Sequence, residues 1–402
     1  HKILDKAQHG FTKGRGLDSA LADYLANVYC HVDKKITTLG LFIDFTKAFD
    51  CVHHSILLQK LQRYGIRGKA YEWVASYLNN RTQKVIVNGT SSEATSIDIG
   101  VPQGSILGPT LFIIYVNDLP SYLRKKCNVM QMSYADDTHF VLTGADAEEK
   151  VKIIYANLCE WVDANKLCIN EDKTSLITFF NGKSNFNDDV LLNNQNMKLS
   201  QTVKLLGLTL DSQMTWTYYL ENLCKRLATV CYALRNLVRQ CNLNTVMIFY
   251  FGCFQSILQY GIVHWGLSSK AQRAFVIQKW AIRIITGLKR RESCRKAFKE
   301  LRILTLPSLY IYNVVCYAFQ NVQVLQGSRN SYTYNTRHKD HLLPRQHNTT
   351  YFQKGLQYNS CRMFNKLPTD IKEVNNILKF KAKVKSYLLG LNCYCISDFL
   401  AA

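Results

Sequence analysis

Residues Met132 to Leu142 read Met-Ser-Tyr-Ala-Asp-Asp-Thr-His-Phe-Val-Leu, with apolar, β-favouring residues on both sides of two adjacent carboxylates. The pattern predicts two short strands meeting at a tight turn, with Asp136 and Asp137 at its tip. An Asp-Asp pair is also an ordinary turn former. Adjacent acids repel each other, however, and a divalent cation shared with a third carboxylate relieves the conflict. The choice between these readings rests on what flanks the pair along the chain.

The chain has 402 residues, 47% of them hydrophobic, enough for large cores and two or three subdomains. A net charge of +21 points to an extended anionic partner, nucleic acid ahead of an anionic membrane surface. No apolar run approaches the ~18 residues of a membrane span. Leu111 to Val116 is too short for one and predicts a buried helix. The chain opens His1-Lys2-Ile3-Leu4-Asp5, without Met and without the apolar core of a signal peptide, so a fragment or processed piece is expected. Its 14 cysteines show no C-x-x-C spacing, which argues against a zinc knuckle and for reduced thiols inside a cell.

A basic, glycine-rich loop, Gln8 to Gly16 with Lys13 and Arg15, leads into a helix over Leu17–Tyr29 and could cradle phosphate. Thr37 to Phe45 is nearly all apolar and predicts a buried strand. Asp44 closes it, and an unpaired carboxylate there needs a metal or a basic partner. Asp50 reads as the N-cap or first-turn acid of a helix ending near Tyr64, at Gly65. His53 and His54 are adjacent, so they point to different sides of a helix and do not form a ligand pair. Two strands, 81–89 and 92–100, meet at Asn88-Gly89. Gly100 to Pro109, with three glycines and two prolines, predicts a shaped loop presenting Gln103, followed by one helix from Thr110 to about Tyr122. A helix over Ala147–Asn165 and a strand over Ser175–Phe180 follow. Asn185–Asn196 reads as a flexible polar loop, and Val203–Leu210 as one strand with Gly207 inside it. From Trp216 to Leu325 the pattern is helical. Arg283–Arg302 is dense in base, a solvated helix face or a nucleic-acid surface. Gln326–Lys354 reads as polar loop, and Lys379–Lys385 as a basic terminal helix.

Three features line up in order: an apolar strand ending in Asp44, a Gly-Pro loop holding Gln103, and the Tyr134-Ala135-Asp136-Asp137 hairpin. In this order the sequence resembles the reverse transcriptases of non-LTR (LINE-like) retrotransposons, in particular the Jockey/CR1-like group. The resemblance covers roughly residues 8–212, with weaker traces in Tyr334–His338 and Phe364–Pro368. It implies an α+β right-hand polymerase with partial fingers (1–36), a palm of antiparallel sheet backed by helices with remaining fingers elements (37–212), a helical thumb (213–325) and a basic C-terminal extension (326–402). It implies Asp44, Asp136 and Asp137 as catalytic carboxylates holding two Mg²⁺ ions, with Mn²⁺ as a substitute. Lys173, in Asn170-x-x-Lys173-Thr174, would protonate the pyrophosphate leaving group. Phe49 would crowd a ribose 2′-hydroxyl and select dNTPs. Gln103 and Gly104 would line the nucleotide pocket, with Lys13 and Arg15 near the triphosphate. Leu206 and Gly207 would grip the primer, and Lys289, Arg290, Arg291 and Arg295 would contact nucleic acid. The implied partners are an RNA template, a DNA primer or target and dNTPs, with no membrane, in nucleus or cytoplasm.

Thr12 stands where the family usually has Arg, and the family's first fingers block is expected before residue 1. No endonuclease domain and no downstream cysteine/histidine knuckle is found. A catalytically silent nucleic-acid-binding relic or domesticated element is therefore the alternative reading. A two-metal nuclease is a poorer one, since Phe49, Gln103 and Lys173 have no evident job in hydrolysis.

Overall fold

The computed structural model describes residues 3–179, 189–192, 195–326 and 341–402, and the chain divides into two units, His1–Leu206 and Gly207–Ala402. The first unit begins with α1 (Leu17–Asp33) and β1 (Thr38–Ile43), then α2 (His54–Arg63) and α3 (Lys69–Leu78). Four short strands follow, β2 (Arg81–Gln83), β3 (Ile86–Val87), β4 (Thr90–Ser91) and β5 (Thr95–Ile97), then α4 (Leu107–Tyr115) and α5 (Leu119–Lys126). The rest is β6 (Met130–Tyr134), β7 (Asp137–Thr143), α6 (Ala147–Ala164), β8 (Ser175–Phe179), β9 (Asp189–Leu192), β10 (Gln195–Lys198) and β11 (Thr202–Leu205).

The main sheet has the order β6-β7-β1-β8, antiparallel throughout. A strand with neighbours on both sides that is apolar after its first residue, Thr38, must be covered on both faces, and all six residues of β1 are buried. Leu39, Leu41 and Ile43 join Phe140, Leu142 and Leu176 in one core with α6 (Val151, Ile154, Leu158, Trp161) and α4 (Phe112, Tyr115). On the other face Phe42 and His139 pack their rings 4.9 Å apart, under Tyr24 of α1. Gly40 lies on that face because nothing larger fits: a Cβ would stand 2.7 Å from the Tyr24 hydroxyl and 2.9 Å from Phe179.

Several boundaries differ from the sequence reading. The helix expected over Thr110–Tyr122 is two, α4 and α5, broken at Asn117–Asp118. Pro120 lies in the first turn of α5, where its missing N–H is no loss, and Asn117 turns its side chain to Ile3 O and Asp5 N. α4 starts earlier than expected, at Leu107, with Ser105 Oγ accepting from Gly108 N at 2.9 Å. Val203–Leu210 is not one strand: Leu206 and Gly207 both take positive φ and form a turn. Asn88 and Gly89 do turn with positive φ, as that dipeptide favours. Within the Asn-rich stretch 185–196, β9 pairs with β10, and its other residues lie outside the described ones.

The second unit is helical after β12 (Leu208–Asp211): α7 (Thr217–Gln240), α8 (Leu243–Phe249), α9 (Ser256–Gln259), α10 (Ile262–Trp265), α11 (Ala271–Thr286), α12 (Arg295–Glu300), α13 (Leu306–Gln320) and α14 (Val322–Gln326). Then come α15 (Leu356–Lys366), α16 (Thr369–Lys372), α17 (Ile377–Leu391) and α18 (Ile396–Ala401). Within the basic stretch 283–302, residues 287–294 form the loop between α11 and α12, so Lys289, Arg290 and Arg291 lie on a loop and not on a helix face. Lys379–Lys385 lies in α17, but α18 follows it, so it is not terminal. Tyr334–His338 lies outside the described residues. Among these, no helix is long and apolar enough to cross a membrane, and all 14 cysteines are free.

Two outcomes follow from this packing. Gly40→Ala should destabilise the protein by about 1–3 kcal/mol, because an overpacked core shifts its neighbours; urea unfolding followed by circular dichroism measures it. His264 of α10 is buried, and burial alone holds its imidazole down at about 3. The folded state therefore keeps it neutral while the unfolded chain protonates it below its ordinary value of 6.5. Stability is lost as pH falls from 6.5 toward 3, by up to about 1.4 kcal/mol per pH unit from this group. His264→Leu should flatten that slope in denaturant titrations between pH 6.5 and 4.

Candidate active site

The register that pairs Ile43 with Thr138 puts Asp44, the next residue, across from Asp137 at the same end of the sheet. Tyr134 pairs with Asp137, leaving Ala135 and Asp136 as a two-residue turn in which Ala135 takes φ 56°. Antiparallel pairing of β8 with β1 brings the loop before Ser175 to that end as well. In that loop Thr174 N and Oγ1 both donate to Asn170 O, at 2.9 and 2.8 Å. The turn projects Lys173 toward the carboxylates, with Nζ 3.1 Å from Asp44 Oδ2. Asn170 N donates to Asp44 O at 2.8 Å and Thr46 N to Cys168 O, so the chain on both sides of Asp44 is fixed to this loop.

The charges are felt. Burial, then the charges of Asp136 and Asp44, push the Asp137 carboxyl up to about 6, while Lys173 pulls it down. Asp136 is raised too, by burial first and by Asp44 among the charges, against two backbone hydrogen bonds and Lys173. Three carboxylates and one ammonium thus share one electrostatic site.

Beside it, Phe49 stacks on Phe112 with ring centroids 4.7 Å apart. The Gly-Pro loop is laced to the same segment: Gly100 N donates to Val52 O, Val101 N to Phe49 O, and His54 Nε2 meets Gly100 O at 2.7 Å. Gly100 takes φ 88°, and a Cβ would stand 3.0 Å from Asp50 O. Exposed Gln103 is held by its Nε2 donating to Asp50 Oδ1 at 2.8 Å. Asp50 is therefore neither N-cap nor first-turn acid: α2 starts four residues later, at His54, and Asp50 orients Gln103. Gly104 is exposed beside it with φ 79°.

Arg15 points its guanidinium to the carbonyls of Lys6 and Gln8, while Lys13 is exposed on the same loop. Leu206 and Gly207 form the turn at which the chain passes between units. Lys289, Arg290, Arg291 and Arg295 belong to the second unit. The first three are exposed, and Arg295 lies over the Tyr394 ring at 4.3 Å. One part of the site was missed in the sequence. Gln8, 4% exposed, accepts from Gly10 N at 2.8 Å and from Ala135 N at 3.0 Å, bracing the carboxylate turn. Its partner lies 127 residues away, and no local pattern marks it.

The donors are hard carboxylate oxygens, the chemistry that suits Mg²⁺ or Mn²⁺. Asp44 Oδ2 is buried and faces Lys173 Nζ at 3.1 Å, an exposed ammonium that an arriving cation could displace. Among the described residues no group of three His, Cys, Asp or Glu side chains stands ready as a closed cage; Lys173 leans on Asp44 instead. The residue types fit divalent cations, and the ligand geometry would form around them.

Residues 1–210 match the family described as reverse transcriptase (RNA-dependent DNA polymerase). The RNA-directed DNA polymerase from the mobile element jockey of Drosophila melanogaster is 30% identical over 302 residues, 71% of this chain and 32% of that protein. The probable RNA-directed DNA polymerase from transposon BS of the same species is 28% identical over 298 residues, 71% of this chain and 33% of that protein. The chain thus spans about a third of the length of the curated relatives it matches. Among solved structures, apo telomerase from Candida tropicalis is 12% identical over 81% of this chain and 55% of its own, with a TM-score of 0.40, too low to carry an argument. The match over more than half of the 402 residues settles the family: this chain belongs to the reverse transcriptases, with their α+β right-hand fold, and its relatives are the polymerases of non-LTR retrotransposons.

Proposed function

We propose that this chain carries the polymerising core of a non-LTR retrotransposon's RNA-directed DNA polymerase, adding dNTPs to a primer 3′-hydroxyl as an RNA template directs. The observation that carries the reading is the convergence of Asp44, Asp136, Asp137 and Lys173 at one end of the sheet. We assign partial fingers to residues 1–36, the palm with remaining fingers elements to 37–212, a thumb to 213–325 and a basic extension to 326–402. The site of action is inside the cell, in nucleus or cytoplasm.

Reverse transcriptases generally work with divalent metal ions. Two Mg²⁺ ions, or Mn²⁺ in their place, would lower the pKa of the 3′-hydroxyl and neutralise charge on the leaving group. Asp44 and Asp136 are the residues to hold them. Asp137, whose carboxyl is raised by burial first and then by the charges of Asp136 and Asp44, supports the turn rather than ligating directly. The 3′-hydroxyl gives its proton to solvent as its oxygen forms a bond to the α-phosphorus of the dNTP, the bond to the bridging oxygen breaks, and pyrophosphate leaves. Lys173, exposed and already 3.1 Å from Asp44, is placed to give the leaving group a proton. Phe49, backed by Phe112, forms a rigid wall against a 2′-hydroxyl, and Gln103, steadied by Asp50, lines the nucleotide pocket with Gly104. Arg15 and Lys13 lie on the loop assigned to the triphosphate. Leu206 and Gly207 form the primer grip. Lys289, Arg290, Arg291 and Arg295 supply cationic contacts to nucleic-acid phosphates.

Primer extension on oligo(dT)-primed poly(A) RNA with Mg²⁺ tests this. The wild type should extend, and Asp136→Asn should lower the rate by about 10²–10³-fold or more, the scale of losing one transition-state charge contact. No extension by the wild type, alongside tight salt-sensitive RNA binding, would sink the enzymatic reading. In the same assay Phe49→Val should let UTP compete with dTTP, lowering the preference for the deoxynucleotide by roughly 10–100-fold. An unchanged preference would remove Phe49 from the sugar-selecting role.

A further inference from the structure

We infer that Gln8, with Gly10, is a positioning residue that sets the height of the Ala135–Asp136 turn and so the place of the Asp136 carboxylate, a role that rests on the polymerase reading. A two-residue turn at the end of two strands is held from within by a single ladder pair, Tyr134 with Asp137. Ala135 also takes φ 56°, a conformation that disfavours any residue with a Cβ. Something outside the hairpin has to hold it.

The segment from Ala7 to Gly10 does so. Ser133 N donates to Ala7 O at 2.9 Å and His9 N to Ser133 O at 2.8 Å, so the segment runs along the free edge of β6. The Gln8 side chain then reaches past the strand end. Its Oε1 accepts from Ala135 N and, simultaneously, from Gly10 N, tying the turn to the segment through one buried atom. Its Nε2 approaches Ala135 O at 3.5 Å, on the far side of the same residue. Gly10 closes the contact from below: a Cβ there would come within 2.5 Å of Ala135 N, so only glycine permits this approach.

The brace is itself anchored. Arg15 holds the carbonyls of Lys6 and Gln8. Arg124 pairs with Asp5, and Asn117 bonds both Ile3 O and Asp5 N. Gln8 is buried and its side-chain hydrogen bonds go to the backbone of Gly10 and Ala135, away from solvent and substrate. It acts through Asp136, and a shift of about 1 Å in a reacting group can change rate by about 10²-fold.

The test uses the full chain with two variants, Gln8→Met, similar in length without an acceptor, and Gly10→Ala, which pushes on the turn. Hydrogen exchange followed by mass spectrometry should show peptides spanning 133–138 exchanging about fivefold faster in Gln8→Met, the size of one lost hydrogen bond. Peptides from α6 should be unchanged. In primer extension both variants should lose kcat by about 10–100-fold while KM for dTTP stays within about threefold, as misplacement of a reacting group without loss of substrate contacts implies. Unchanged exchange at 133–138 would overturn the brace whatever the activity. Faster exchange with kcat within about twofold of wild type would overturn the positioning role. Loss appearing in KM instead of kcat would also overturn it. A wild type that extends no primer sinks the polymerase reading, and the positioning role with it, while the exchange result still decides the brace.

Discussion

One pairing governs the first unit: a strand that ends in an acid runs antiparallel to a strand that begins with one. With Ile43 opposite Thr138, the carboxylates of Asp44 and Asp137 meet across the ladder, an arrangement unfavourable in itself. The core enforces it. Shifting β1 by one residue would turn Leu39, Leu41 and Ile43 from the α4/α6 side to the side of Tyr24 and His139, where Gly40 is needed for lack of space. Hydrophobic packing therefore holds two like charges together, and burial first, then the charges of Asp136 and Asp44, raise the Asp137 carboxyl.

The elements that carry this pairing were legible because their signals are local. β1, the Asp136–Asp137 turn and the Asn88-Gly89 turn are written in periodicity and in residues with particular backbone preferences. The errors share a different cause. Asp50 precedes a helical pattern, so capping was the local inference, but its partner Gln103 is 53 residues away. The break between α4 and α5 follows an apolar run that continues through Leu119 and Leu123. It is made by Asn117, whose partners Ile3 and Asp5 are more than 110 residues distant. Gln8 belongs to the same class. Polar side chains that bond across the fold leave no periodic trace, and in this unit they surround the site.

The second unit shows the same rule with the opposite emphasis. Its helices were readable from apolar spacing, whereas its polar centre was not. Gln278 is fully buried, donating to Tyr250 Oη and Leu304 O and accepting from Leu306 N, so one amide ties α11 to the start of α13. The basic stretch beside it divides by function of the head groups. Arg283 donates twice to Glu292 O and Arg295 lies on Tyr394, so both hold the loop's shape. Lys289, Arg290 and Arg291 are exposed between them, presented by a shaped loop rather than spread along a helix face.

Lys173 explains how so acidic an end persists before any cation arrives. Its ammonium stands 3.1 Å from Asp44, but its side chain is 68% exposed. A pair exposed to that degree contributes at most about 1 kcal/mol, and its lysine needs only rotamer changes to leave. A buried lysine such as Lys60, fixed by Asp118 and the carbonyl of Tyr115, could not exchange in this way. The turn built on Asn170 keeps the Lys173 backbone in place while its exposed head group is free to change rotamer. In the proposed reaction, the same short tether that lets Lys173 screen Asp44 would keep it within reach of the pyrophosphate as the new bond forms.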